Sequence, residues 1–117
     1  ERATVMLRDR LTFEGAAFSD DLEMGALAAF GDLPERSAAA SRAGCDLLFV
    51  CKLIEAYPDC VAAVRRDVPG ERREEAAARL DAYGAHVAEL KAASPKREPP
   101  PLGLVADGLK RLNDAIG

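Results

Sequence analysis

The sequence predicts a helix-rich α/β protein built around a short parallel sheet. Two apolar segments, residues 16–19 and 45–51, have the composition of strands that are covered on both faces. A segment with strong helix-start chemistry lies between them, and a strand–helix–strand order gives a parallel, right-handed unit. Aromatic residues make up 5% of the chain and alanine is abundant, which favours helices over an extensive sheet.

The elements before the second strand can be placed in order. Residues 1–11 are typical of the last turns of a helix, and residues 12–15 of a turn. Residues 16–19, Ala-Ala-Phe-Ser, are small and apolar enough for a buried strand. A short helix is expected over residues 26–30.

The helix between the two strands has clear signals at both ends. Asp32 stands at the N-cap, Pro34 in the first turn and Glu35 at the capping-box position. An alanine-rich stretch continues to Ala43, and Gly44 follows where a C′ glycine belongs. These signals predict a helix from Asp32 to Ala43.

Helices follow the second strand. Residues 54–66 predict a helix with Pro58 in its first turn or at a break, because an interior proline costs ~3 kcal/mol. Residues 68–70, Val-Pro-Gly, end it, and residues 71–93 predict one long amphipathic helix. Two arginine pairs, Arg65-Arg66 and Arg72-Arg73, are interleaved with acids and are expected on solvated helix faces.

The end of the chain predicts a linker and a further helix. Residues 94–101 contain three consecutive prolines and favour an extended polyproline form. Residues 102–116 predict a last short helix with leucine and valine on one side.

Composition excludes several classes of partner and group. The formal net charge is −4, so we expect no nucleic acid partner, and no apolar run reaches the ~18 residues of a membrane span.

Three cysteines give neither a disulfide framework nor a zinc pattern, and Cys45 and Cys51 are expected to be small buried side chains. No motif predicts a cofactor or a metal site. Reduced thiols fit a cytoplasmic protein.

The acidic segment FEGAAFSDDLEM, residues 13–24, is the most informative part of the chain. Asp20 and Glu23 have the spacing of a capping box that starts a short helix. Alternatively, Asp20 is a carboxylate at the C-terminal end of a parallel strand, where the catalytic groups of α/β barrels lie. A third reading, a Mg²⁺ site at Asp20 and Asp21, lacks the further acids and the lysine that such sites use. Spacing alone leaves these readings open.

This segment resembles glycoside hydrolase family 3, in its bacterial β-N-acetylhexosaminidase branch. The family pattern reads Gly, Phe or Tyr, any residue, Gly, two small apolar residues, then Phe-Ser-Asp-Asp-Leu, any residue, and Met. The chain matches it from Phe13 to Met24 and carries Thr12 in place of the first glycine. The resemblance continues through residues 35–36 and 43–51 and covers roughly residues 5–66.

The resemblance implies a fold and an activity. Residues 1–66 would be the last two β/α units of a TIM-type (β/α)8 barrel, and residues 67–117 a C-terminal helical extension with the proline-rich linker. The activity would be retaining hydrolysis of terminal N-acetylglucosamine from peptidoglycan fragments, a carbohydrate substrate, in the cytoplasm. Asp20 matches the nucleophile of the family, and Asp21 is expected to serve the turn.

A chain of 117 residues cannot close such a barrel, which needs ~250 residues. Two strands also make no stable sheet, so we expect self-association or pairing with the missing part of the barrel, upstream of Glu1. The His-containing acid/base loop of the branch is absent here. His86, the one histidine, is expected to be a partly exposed helix residue. The isolated chain should therefore be inactive, and the alternative is a non-catalytic helix-rich α/β protein-interaction module.

Overall fold

The computed structural model describes residues 5–94 together with Lys110, Arg111 and Asp114. In chain order the elements are a π-helical segment Val5–Arg10, β1 (Phe18–Asp21), a 3₁₀ helix Gly25–Phe30, α1 (Leu33–Arg42), β2 (Leu47–Phe49), a 3₁₀ helix Ile54–Ala56, α2 (Tyr57–Asp67) and α3 (Gly70–Ala93). The predicted linker beyond Ser94 and the predicted helix over residues 102–116 lie outside the described residues, except that Lys110, Arg111 and Asp114 are helical. Residues 1–4 of the first predicted helix also lie outside them.

The two strands form a parallel pair connected by α1, as the sequence predicted. Phe18 pairs with Leu47, and Asp21 pairs with Phe49. The described part of the chain is thus a helix-rich α/β structure with a two-stranded parallel sheet.

Both strands differ from their predicted limits. β1 lies two residues later than residues 16–19, because the polar Asp20 and Asp21 belong to the strand and the Leu22 amide still donates to the Phe49 carbonyl, at 3.0 Å. β2 is shorter than residues 45–51. It ends at Phe49 because the amides that follow donate to a side chain from the segment after β1 rather than to a neighbouring strand.

The predicted start and end of α1 are confirmed. The Asp32 carboxylate accepts from the Glu35 amide and the Glu35 carboxylate accepts from the Asp32 amide, both at 2.9 Å, which is the capping box. Gly44 follows the helix with φ of 114°, a left-handed conformation that glycine adopts without strain. Gly31 precedes the cap with φ of 100°.

The predicted helix over residues 54–66 is divided near its start. A 3₁₀ turn, Ile54–Ala56, leads into α2, and Pro58 lies in the first turn of α2, where its missing N–H is not needed. α2 ends at Asp67, as the stop at residues 68–70 predicted.

The core is small and lies mainly between α1 and α2. One buried cluster joins Leu22, Leu33 and Cys60. A second joins Ala38, Ala63 and Val68, whose small side chains allow the two helices to pack closely. The core therefore holds α1 and α2 against each other. Through Leu22, it also holds the start of the loop after β1 against these helices.

α3 is the long predicted helix, but none of its residues is buried. Its contact with the sheet includes Tyr83, whose ring meets Phe18 edge-on with centroids 5.2 Å apart. The predicted long helix is thus present, and it is only partly covered by the described part of the chain. None of the described helices combines the length and apolar character that a membrane span requires.

Candidate active site

Asp20 lies on β1, one residue before the strand ends, and its side chain is exposed. Between the paired positions, Ser19 and Asp20 stand opposite the single residue Leu48, so β1 contains a bulge at this point. Bulges change the direction of a side chain and often lie beside active sites. The Asp20 Oδ1 atom accepts from the Asp21 amide at 2.8 Å.

Ser19 maintains the strand pairing at the bulge. Its Oγ atom accepts from the Phe49 amide at 3.0 Å, so a side-chain oxygen takes the place of a strand carbonyl. Ser19 therefore has a structural role: its hydroxyl oxygen accepts the hydrogen bond of the Phe49 amide at the bulge, where the strand carbonyl is not available.

Asp21 forms the turn after β1. Its Oδ1 atom accepts from the Glu23 amide at 3.0 Å, and its carbonyl accepts from the Met24 amide at 3.3 Å. The capping box proposed for Asp20 and Glu23 does not form, because the 3₁₀ helix begins at Gly25 and its cap residue makes no side-chain bond. The helix-cap reading of Asp20 is therefore wrong.

Glu23 connects the segment after β1 to the segment after β2. Its Oε2 atom accepts from the Cys51 and Lys52 amides, both at 2.6 Å, and its Oε1 atom accepts from the Leu53 amide at 2.9 Å. The Lys52 amide outweighs the partial desolvation of this carboxylate and, with the Leu53 and Cys51 amides, lowers the pKa of Glu23. Glu23 is thus held in its charged form.

Cys51 lies in this acidic neighbourhood and is exposed, which corrects its expected burial. Desolvation raises the pKa of the Cys51 thiol, and the Asp21, Glu23 and Asp20 carboxylates raise it further. Cys51 is exposed because β2 has already ended when the chain reaches it. Cys45 is half-buried, Cys60 is buried, and all three cysteines are free.

Asp46 is the most heavily bonded acid of the described residues. Its side chain is fully buried and lies in ion pairs with Arg8, Arg72 and Arg79 at 3.0, 2.8 and 3.4 Å. Its Oδ2 atom also accepts from the Ala17 amide at 2.8 Å, one residue before β1. Burial acts to raise the pKa of Asp46, but the Ala17 amide and the Arg72 guanidinium outweigh burial and lower it.

The environment of Arg72 differs from its prediction. Its side chain is 15% exposed, and it donates to Asp46 and to the carbonyl groups of Ser41 and Cys45, so it does not lie on a solvated face. The other pair behaves as predicted at Arg66, which is exposed and pairs with Asp67 at 2.7 Å.

Arg8 holds the segment that leads into β1. It donates to the carbonyl oxygens of Phe13 and Gly15 at 2.5 and 2.7 Å, and its guanidinium lies 5.3 Å from the centre of the Phe13 ring. Together with the Asp46 contact to Ala17, these bonds fix the backbone on which Asp20 is carried.

Sequence reasoning missed Asp46, Glu23 and Arg8. An acid directly before the apolar run of β2 is a usable signal for Asp46, since a charge at such a position must be paired. Glu23 offered no comparable signal, because its spacing from Asp20 suggested a local cap, whereas its partners lie 28–30 residues away.

His86 is exposed on α3. Within the described residues, no group of three or more His, Cys, Asp or Glu side chains could hold a metal ion. A mainly apolar groove of about 500 Å³ lies among α1, β2, α2 and α3, and Asp20 does not line it.

Comparison with known proteins gives the chain a family. The model described as "Glycosyl hydrolase family 3 N terminal domain" matches residues 2–90. This match extends beyond residue 66 and includes most of α3. No solved structure gives a significant match.

Three similar curated proteins are each named β-hexosaminidase. That of Alkalilimnicola ehrlichii is 48% identical over 64 residues, which are 55% of this chain and 17% of the relative. That of Methylococcus capsulatus is 46% identical over 74 residues, 62% of this chain and 22% of the relative. That of Thiobacillus denitrificans is 39% identical over 87 residues, 74% of this chain and 24% of the relative.

The chain therefore spans less than a quarter of the length of each of these relatives. The family model, in contrast, covers well over half of the chain. The chain belongs to the glycosyl hydrolase family 3 N-terminal domain family.

Proposed function

We propose that this chain is the segment of a retaining β-N-acetylhexosaminidase that carries the nucleophile, and that Asp20 is that nucleophile. The observation that supports this most is the exposed Asp20 carboxylate at a bulge near the C-terminal end of a parallel strand, in a chain of this family. Catalytic groups of α/β barrels occupy this end of the strands.

The reaction follows from the chemistry of a carboxylate nucleophile. An Asp20 oxygen attacks the anomeric carbon, the bond from that carbon to the leaving oxygen breaks, and a glycosyl ester forms. A general acid protonates the leaving oxygen, and water then cleaves the ester to release the sugar and regenerate the carboxylate.

The rest of the catalytic machinery lies elsewhere in this proposal. The general acid/base would come from outside this segment, because the chain spans less than a quarter of the length of the β-hexosaminidases it matches. In the same proposal, residues 1–66 form the last two β/α units, and residues 67–117 form a C-terminal extension with the linker at 94–101. The isolated chain should then turn over little substrate.

The proposed partner of the chain is the remainder of the barrel or a second copy. Both strands have an outer edge without a neighbouring strand among the described residues. Large apolar side chains are also exposed beside the sheet and its loops: Phe13, Phe18, Phe49, Leu53 and Ile54. A covering structure would bury these groups, and they equally support the second candidate, a protein-interaction module without catalysis.

The proposed substrate is a glycan that contains N-acetylglucosamine, such as a peptidoglycan fragment during recycling, and the proposed location is the cytoplasm. The names of the relatives support a hexosaminide substrate. Three free cysteines are compatible with a reducing compartment.

A chimera tests the proposal. Residues 2–90 of this chain replace the corresponding segment of the Methylococcus capsulatus β-hexosaminidase, and release of phenol from an aryl N-acetyl-β-glucosaminide is measured. We expect activity in the chimera and a fall of several orders of magnitude in Asp20→Asn, because the covalent route is lost. Asp21→Asn is the matched control and should retain much more activity. A folded but inactive chimera would favour the interaction module.

A further inference from the structure

Three consecutive backbone amides converge on one carboxylate beside the candidate nucleophile. After β2 ends at Phe49, the amides of residues 51–53 all point to Glu23, at 2.6, 2.6 and 2.9 Å. Hydrogen bonds from amides to an ionised carboxylate are about twice as strong as those between neutral groups. The contact joins the two segments that follow the neighbouring parallel strands.

We propose that Glu23 is a positioning residue for Asp20, and that it acts by tying the segment after β1 to the segment after β2. This inference rests on the proposed function, since it assigns Glu23 a role in the reaction of Asp20. Glu23 itself lies outside the bonds that form and break.

Hydrogen bonds connect Glu23 to Asp20, so the placement of Glu23 affects the placement of Asp20. The Glu23 amide donates to the Asp21 carboxylate, and the Asp21 amide donates to the Asp20 carboxylate. These bonds form a continuous path of three residues from the amide cluster to the nucleophile. Leu22, which lies between Asp21 and Glu23, is buried, and its amide donates to the Phe49 carbonyl, so the same segment is also bonded to the end of β2.

The bulge makes such support necessary. β1 loses regular pairing at Ser19 and Asp20, and the strand ends one residue later. A displacement of about 1 Å at a reacting group can cost 10²-fold in rate. The Glu23 carboxylate supplies long-range bonds where the sheet no longer does.

The resemblance does not predict this contact. The family pattern leaves the position between leucine and methionine open, and this chain has Glu23 there. Glu55 offers a matched control, because it is an exposed carboxylate on the 3₁₀ helix directly after the amide cluster.

Amide hydrogen exchange in the full 117-residue chain tests the contact. We expect Glu23→Ala to lower the protection of the residue 51–53 amides about tenfold, because charge-assisted bonds are lost. Glu23→Gln keeps one accepting oxygen and should give an intermediate loss, whereas Glu55→Ala should leave these amides unchanged. Equal protection in Glu23→Ala and the unsubstituted chain would overturn the inference.

Kinetics in the chimera test the positioning role. Glu23→Ala is expected to lower kcat about 100-fold with little change in KM, because substrate binding remains while the nucleophile is displaced. Glu23→Gln should recover part of kcat. A loss of amide protection with unchanged kcat would refute positioning. Unchanged activity in Asp20→Asn would instead refute the proposed function and leave the carboxylate–amide contact intact.

Discussion

Replacing Asp46 with asparagine is expected to destabilise the chain by about 3–5 kcal/mol, the usual cost of breaking a buried ion pair. The Asp46 side chain is fully buried, and it accepts from the Ala17 amide while pairing with three arginines. Asparagine keeps the shape of the aspartate side chain but has only one accepting oxygen. Its NH2 group would then face the guanidinium or amide donors that the second carboxylate oxygen accepts from. The arginines lose their counterion and repel each other.

The environment of the arginines sets this magnitude. Arg8 and Arg72 are 14% and 15% exposed, so water cannot replace Asp46 at either guanidinium. Arg79 is 28% exposed and pairs with Asp46 at 3.4 Å, so its loss matters less. A change of 3–5 kcal/mol is a large part of the ~5–15 kcal/mol that stabilises a typical domain.

Urea denaturation followed by circular dichroism measures the effect. With a slope of ~1–3 kcal/mol/M, the loss of about 3–5 kcal/mol should lower the urea midpoint by about 1–5 M in Asp46→Asn. Asp67→Asn removes an exposed ion pair with Arg66 and is the control, with little expected change. If the two variants unfolded at the same urea concentration, the buried cluster would not stabilise the fold as argued.

Three further predictions follow from the same structure. Folding lowers the pKa of Asp46, so the stability that this ionised carboxylate contributes is present above its ordinary pKa. That contribution should be lost as the pH falls through the pKa of the folded state. Acid titration should show the loss in the unsubstituted chain but not in Asp46→Asn. Gly31→Ala should destabilise the fold by about 1–3 kcal/mol, because Gly31 has a φ of 100° and an added Cβ would clash with the Glu35 carboxylate. Gly84→Ala is the contrasting variant: an added Cβ meets open space on α3, so it should stabilise the fold by up to about 1 kcal/mol in the same urea assay. Sedimentation should show a dimer or larger assembly, because both strands have an outer edge without a neighbouring strand among the described residues. A compact monomer that unfolds cooperatively would contradict this prediction.

Local signals explain what the sequence could predict. The limits of α1 depend on Asp32, Glu35 and Gly44, which act within a few residues of each other. The order of strand, helix and strand follows from such signals and from apolar composition, and the parallel pairing follows from that order.

Long-range contacts explain what it could not. Asp20 and Asp21 have the composition of a turn, yet Phe49 pairs with Asp21, 28 residues later in the chain, and extends β1 through both acids. The burial of Asp46 and Arg72 depends on a contact across 26 residues. The backbone amides that donate to the Glu23 carboxylate belong to a loop, and the path of this loop depends on where β2 ends.

A trapped glycosyl-enzyme would test the role of Asp20 most directly. The chimera is treated with a slow fluorinated N-acetylglucosaminyl substrate, which lets the covalent intermediate accumulate, and the digested protein is analysed by mass spectrometry. We predict that the sugar is attached to Asp20 and that Asp20→Asn carries none. A sugar attached to another residue, or none in an active chimera, would contradict the assignment of Asp20 as the nucleophile.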